Sequence, residues 1–112
     1  MRYSDDLVEE IRMKNDIVDV ISGYVKLTRR GSSYFGLCPF HNEKSPSFSV
    51  SPGKQMYYCF GCGAGGNVFT FLMEYENFTF VEALKFLFLF FLFHLLIFSY
   101  HFSLSFTLRF HP

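Results

Sequence analysis

The sequence predicts an α+β fold, a small antiparallel sheet flanked by helices. Three observations carry this expectation. Ser47-Phe48-Ser49-Val50-Ser51 alternates polar and apolar strictly, as a half-buried strand does. Capped helical starts lie on both sides of that segment. Between them stand two pairs of metal-ligand side chains, one hairpin apart.

Ser4-Asp5-Asp6 offers an N-cap and an acidic first turn to a helix running through Lys14, with Leu7, Val8 and Ile11 on one face. Asp16 caps a second short helix, Ile17 to Ser22, which Gly23 ends. Val25 to Arg29 has strand character, Gly31-Ser32-Ser33 reads as a turn, and Tyr34 to Leu37 as the returning strand. Pro52-Gly53 turns the chain from the 47–51 strand into a partner, Gln55 to Tyr58. Alternation assigns Phe48 and one of Tyr57 or Tyr58 to the core. Gly61, Gly63, Gly65 and Gly66 make the next stretch a loop. Asn67 caps a helix carrying Val68, Phe69, Phe71, Leu72 and Met73. Thr79 and Glu82 have capping-box spacing and start a last helix with Val81, Ala83 and Leu84. No internal repeat is visible.

The 112 residues are enough for one domain. The composition describes two unlike segments. Nine of the 17 Phe residues fall in residues 86–112, which contain no Gly, Ala, Val, Asp, Glu, Lys, Asn, Gln, Met or Cys. Residues 1–85 therefore read as the domain and 86–112 as a separate hydrophobic tail. A globular part of that size buries a modest core and often needs a metal or disulfide staple. Three cysteines are too few for a disulfide framework. The start, Met1 to Asp6, is polar and partly acidic, unlike a cleavable signal. A reducing, cytoplasmic setting is expected, where close cysteine pairs mean metal or redox chemistry. Net charge is zero, but residues 26–54 carry Lys26, Arg29, Arg30, Lys44 and Lys54 against Glu43 alone. An anionic partner would bind this basic middle.

Cys38-Pro39-Phe40-His41 is followed, 17 residues later, by Cys59-Phe60-Gly61-Cys62. Two residues between ligands let a tight turn aim both side chains at one ion. Seventeen between the pairs allow one hairpin to bring them together. Three thiolates and an imidazole are ligands that Zn²⁺ favours, and four close its tetrahedral shell, so one structural zinc is expected at Cys38, His41, Cys59 and Cys62. Backbone N–H groups near Gly36, Gly61 and Gly63 would offset the net negative charge of such a site. Merely buried cysteines, or a redox pair at Cys59 and Cys62, are the competing readings. Neither explains why Cys38 and His41 repeat the spacing. His41-x-Glu43 before Cys59-x-x-Cys62 also looks like half of a zinc deaminase signature. That chemistry leaves one zinc position open, whereas Cys38 supplies a fourth ligand, and 17 residues cannot hold the intervening strand and helix. Glu43 is then a solvated charge, paired with Lys44.

The basic residues near the ligands are interleaved with Tyr34, Phe35, Phe48, Tyr57, Tyr58 and Phe60. Cationic side chains neutralise phosphates and aromatic faces stack on unpaired bases. Composition alone leaves nucleic-acid binding and protein docking open.

The run Arg30-Gly31-Ser32-Ser33-Tyr34-Phe35-Gly36-Leu37-Cys38-Pro39-Phe40-His41-Asn42-Glu43-Lys44-Ser45-Pro46-Ser47-Phe48 closely resembles the N-terminal zinc-binding domain of bacterial DNA primases, as does Tyr57-Tyr58-Cys59-Phe60-Gly61-Cys62-Gly63-Ala64-Gly65-Gly66-Asn67-Val68. The resemblance runs from about Asp5 to Leu84. Asn67 stands where the family often has Asp, and Ser32-Ser33 where it often has a bulkier polar pair. The resemblance implies a zinc-ribbon fold that binds single-stranded template and helps select where RNA primers start. By position, Arg30, Tyr34, Lys44, Lys54 and Tyr58 are the candidate template contacts. The family's polymerase domain and the replicative helicase are the implied partners. Nothing after Leu84 resembles the polymerase domain, whose carboxylates hold Mg²⁺, so this chain alone is expected to bind template without polymerising.

Residues 86–108 include no Asp, Glu, Lys or Arg, and a bilayer core needs about 20 apolar residues. His94 and His101 interrupt the stretch, and a membrane anchor on a replication module would be strange. The residue types encoded by codons beginning with G are absent from it. That absence favours a departure from the primase reading frame at about residue 86 over a membrane segment. No membrane partner is expected except through this tail, which would aggregate or insert if exposed.

Overall fold

The computed structural model describes residues 4–42 and 44–110, those from 100 onward by backbone alone. Glu43, expected to be a solvated charge beside Lys44, lies outside the described residues. Helix α1 spans Asp5–Lys14, and Ser4 caps it by accepting from the Leu7 N–H at 3.2 Å. Helix α2 spans Ile17–Ser22, with Asp16 Oδ1 accepting from the Val18 N–H at 2.7 Å. The buried Asn15 joins the two helices and donates to the Ile11 carbonyl at 2.8 Å. Gly23 ends α2 with φ −72°, so it does not use the left-handed freedom expected of a C-terminal glycine.

Among the described residues five strands follow in sheet order, each antiparallel to the next: β1 (Thr28–Arg30), β2 (Ser33–Gly36), β3 (Phe48–Ser51), β4 (Met56–Cys59) and β5 (Gly65–Gly66). Two boundaries differ from expectation. Val25 is buried and donates to the Ile21 carbonyl, so the chain leaves α2 in a turn and pairing begins only at Thr28. β5 replaces part of the expected loop and pairs Gly66 with Tyr57 and Gly65 with Tyr58.

Register sorts the side chains onto two faces. Tyr34, Gly36, Phe48, Val50, Tyr57 and Cys59 share the inner face. Arg30, Ser33, Phe35, Ser49, Ser51, Met56 and Tyr58 share the outer one. Tyr57 is the buried member of its pair, 2% exposed, while Tyr58 is 47% exposed. The inner face packs on α2 and on α3 (Val68–Tyr75), which Asn67 caps by accepting from the Thr70 N–H at 3.1 Å. The Phe71 ring meets Tyr57 edge-on, 5.5 Å between centroids at 86°, in the middle of this core.

Only glycine fits at position 66. Its φ is +155°, and a Cβ there would lie 2.6 Å from the Thr70 Cβ. Gly66→Ala should therefore destabilise the zinc-loaded chain by about 2 kcal/mol through overpacking. A urea midpoint equal to that of the parent chain would refute this account of the β5–α3 junction.

Helix α4 spans Phe80–Phe110. The expected capping box is present: Glu82 accepts from the Thr79 N–H at 2.9 Å, and Thr79 Oγ1 accepts from the Glu82 N–H at 3.2 Å. The helix runs through residue 86 without a break. Its early apolar residues belong to the core, contrary to the expectation that everything from 86 onward stands apart. Ala83, Leu84 and Leu87 are buried, and Phe86 and Phe90 pack against the same cluster. Their spacing of three and four residues keeps them on one stripe facing the other helices. Further on the helix is apolar all round and open to solvent: Leu96 and Phe98 are each 69% exposed. Phe80–Ser99 is long and apolar enough to cross a membrane.

Candidate metal centre and sheet surface

Two tight turns build the centre. The first leaves β2 at Leu37 and carries Cys38 and His41; the second starts at Cys59, the last residue of β4, and carries Cys62. Pairing of Phe48 with Cys59 anchors the second turn to the sheet. The ring of Phe40, inside the first turn, meets Phe71 edge-on at 5.6 Å and so ties that turn to the core. Ligand atoms of Cys38, His41, Cys59 and Cys62 all lie within 4.8 Å of one another. The Cys38 and Cys62 sulfurs are 3.8 Å apart, and Cys59 Sγ is 3.8 Å from His41 Nδ1. Ligands about 2.3 Å from a common zinc stand about 3.7 Å apart at the corners of a tetrahedron. A disulfide needs about 2.05 Å, so no pair here is bonded.

Backbone groups solvate the sulfurs. The Phe40 N–H donates to Cys38 Sγ at 3.4 Å and the Gly61 N–H to Cys59 Sγ at 3.3 Å. The other two glycines act differently from expectation. Gly63, at φ +80°, donates to the Cys59 carbonyl and closes the turn. A Cβ on Gly36 would lie 2.6 Å from the Lys26 carbonyl, so that residue allows two backbones to approach. Burial pushes the Cys38 thiol up to about 12. Burial acts on Cys59 in the same direction, but the N–H groups of Cys62 and Gly61 outweigh it and hold that thiol below its ordinary value. A metal bound here therefore displaces protons, as thiolate sites require. Cys38 and Cys59 are buried while Cys62 is exposed, so the core wraps one side of the centre and solvent meets the other. Four protein ligands leave no position for a reacting water, which removes the deaminase reading.

The five candidate template contacts do not share one surface. Lys54 and Tyr58 line an open groove of about 720 Å³ on the outer face, together with Ser33, Ser49, Ser51 and Phe60. Arg30 stands on the same face, paired with Ser33 at the groove's edge. Lys44 is exposed in the segment before β3. Tyr34 is on the inner face and packs against the core. Phe60, whose position between two ligands marks it in the sequence, joins Tyr58 in the groove without being one of the five.

Two ligand-bearing turns clamping one ion beside an antiparallel sheet define a zinc ribbon, here with one structural zinc. The chain belongs to the CHC2 zinc finger family, whose profile matches residues 3–96. It is 64% identical over 84 residues to the DNA primase of Geobacillus stearothermophilus, covering 75% of this chain and 14% of that one. To the DNA primase of Synechocystis sp. it is 60% identical over 83 residues, covering 74% of this chain and 13% of that one. The crystal structure of the zinc-binding and RNA polymerase domains of Aquifex aeolicus primase superposes with a TM-score of 0.69 at 48% identity, over 72% of this chain and 20% of that one. The zinc finger is thus of the DNA primase kind, and the chain spans about a seventh of the curated relatives it matches.

Proposed function

We propose that this chain reads single-stranded DNA template during RNA primer synthesis. The observation that carries the reading is the outer sheet face, where Arg30 and Lys54 stand on the same side as the exposed ring of Tyr58. Cations there neutralise phosphates, and the ring stacks on an unpaired base. A shallow sheet face admits a flexible strand, whereas a duplex is read by an element that enters its groove. Lys44 extends the positive surface from a neighbouring segment. In this reading a polymerase domain performs the nucleotidyl transfer, a replicative helicase delivers the strand, and the setting is the reducing cytoplasm, where the thiolate ligands persist. Kinship with primases supports the template as partner.

Titration of a fluorescent single-stranded DNA at two salt concentrations tests it. Affinity should fall with salt, and Arg30→Ala and Lys54→Ala should each flatten the log–log slope by about 0.7. Zinc-loaded protein that shows no salt-dependent affinity would instead be a protein-docking ribbon.

A further inference from the structure

Phe60 lies between two zinc ligands, yet its side chain is 72% exposed. Its backbone is held on every side. The Phe60 N–H donates to the Ser47 carbonyl at 3.0 Å, the Cys59 N–H to the Ala64 carbonyl at 2.8 Å, and the Gly63 N–H to the Cys59 carbonyl at 2.8 Å. The ring meets Tyr58 edge-on, 5.0 Å between centroids at 78°. The two rings form a corner at one end of the outer groove. Between these rings and the longer side chains of Met56 and Lys54, the floor is low at Ser33, Ser49, Ser51 and Gly65, which carry little or no side chain. A Cβ on Gly65 would lie 3.0 Å from the Tyr58 ring, so that glycine also lets the ring lie against the backbone.

A large apolar ring that stands in water adds little to stability. A fixed backbone beneath it favours a ligand with a flat face, because the ordering of the turn is already met before binding. Serine hydroxyls can donate or accept, so the floor suits the varied edges of bases and sugars. We propose that Phe60, supported edge-on by Tyr58, is the stacking platform for one unpaired template base, and that the zinc-clamped turn holds it in place. This rests on the single-strand reading above and adds the residue that grips the base.

The test uses the full zinc-loaded chain in a neutral detergent. It compares a fluorescent deoxythymidine oligomer with an abasic oligomer of equal length. Phe60→Ala should keep its zinc, measured by native mass spectrometry, and bind the thymidine oligomer about 10-fold more weakly. Phe60→Trp should restore the affinity. On the abasic strand the parent and Phe60→Ala should bind alike. Unchanged affinity of Phe60→Ala for the thymidine oligomer, or an equal loss on the abasic strand, would overturn the stacking role. If the parent binds neither strand in a salt-sensitive way, the single-strand reading falls with it. If Arg30→Ala and Lys54→Ala weaken binding while Phe60→Ala does not, only the stacking role falls.

Discussion

Stripping the zinc with a chelator is expected to unfold the sheet. The four ligands come from two turns that meet at the metal, each otherwise tied down by little more than one strand end and, for the first, the Phe40 ring against Phe71. The module is small, so its core alone contributes little net stability. Structural zinc in small modules supplies an apparent 10–16 kcal/mol, roughly the whole stability of a domain of this size. Removing it leaves Cys38 and Cys59 in the core cluster with Phe48 and Tyr57 but without the bond that joins one turn to the other. Near-ultraviolet circular dichroism from the packed tyrosines should collapse, while much of the helical far-ultraviolet signal persists through α4. Added zinc should restore the tyrosine signal. Metal-free protein, verified by mass spectrometry, that retains its near-ultraviolet spectrum would show that the core stands without the ion.

Shortening α4 should have opposite effects depending on where the cut falls. A chain ending at Leu92 keeps Leu87, Phe86 and Phe90 on the core and sheds the exposed apolar run from Phe93 to Phe98. It also keeps Phe91, whose ring lies 5.3 Å from Lys14 Nζ and ties α4 to α1. That chain should be as stable as the parent and should elute as a monomer without detergent. A chain ending at Leu84 loses Leu87, which is 0% exposed and belongs to the same core cluster as Ile11 and Ile17. Loss of one such buried side chain costs about 3–5 kcal/mol, enough to leave most of the protein unfolded. Urea midpoints and size-exclusion profiles of the two chains check this. Equal stability of both would return the domain boundary to residue 85.

The caps, the metal ligands and the central core were legible because each is a local chemical requirement. Ser4, Asp16, Asn67 and the Thr79–Glu82 pair satisfy helix N–H groups that have no partner of their own kind, and the structure has all of them. Strict alternation in 47–51 fixed which side of the sheet is buried, and so identified Phe48. Other features depend on neighbours distant in sequence. Glycine disfavours strands, so β5 was invisible until Tyr57 and Tyr58 offered it a ladder. Tyr34 reads as an exposed aromatic until the register pairs it with the buried Val50. Leu87 was hidden by its surroundings, since a run of Phe and Leu carries no polar positions to mark its buried stripe. Gly36 belongs with Lys26 rather than with the sulfurs, a contact between segments ten residues apart.

The sheet's two borders bear on how this molecule associates with itself. β1 exposes the threonine and paired arginines of Thr28–Arg30, and an incoming strand would have to desolvate two guanidinium groups to add there. β5 is only two residues long, and its second glycine is turned against Thr70 of α3. Neither border is a template for cross-β growth. Self-association is left to α4, whose backbone hydrogen bonds are already closed within the helix. Any cluster of this chain is therefore expected to form by side-chain burial between helices, which leaves each ribbon, with its outer face, intact.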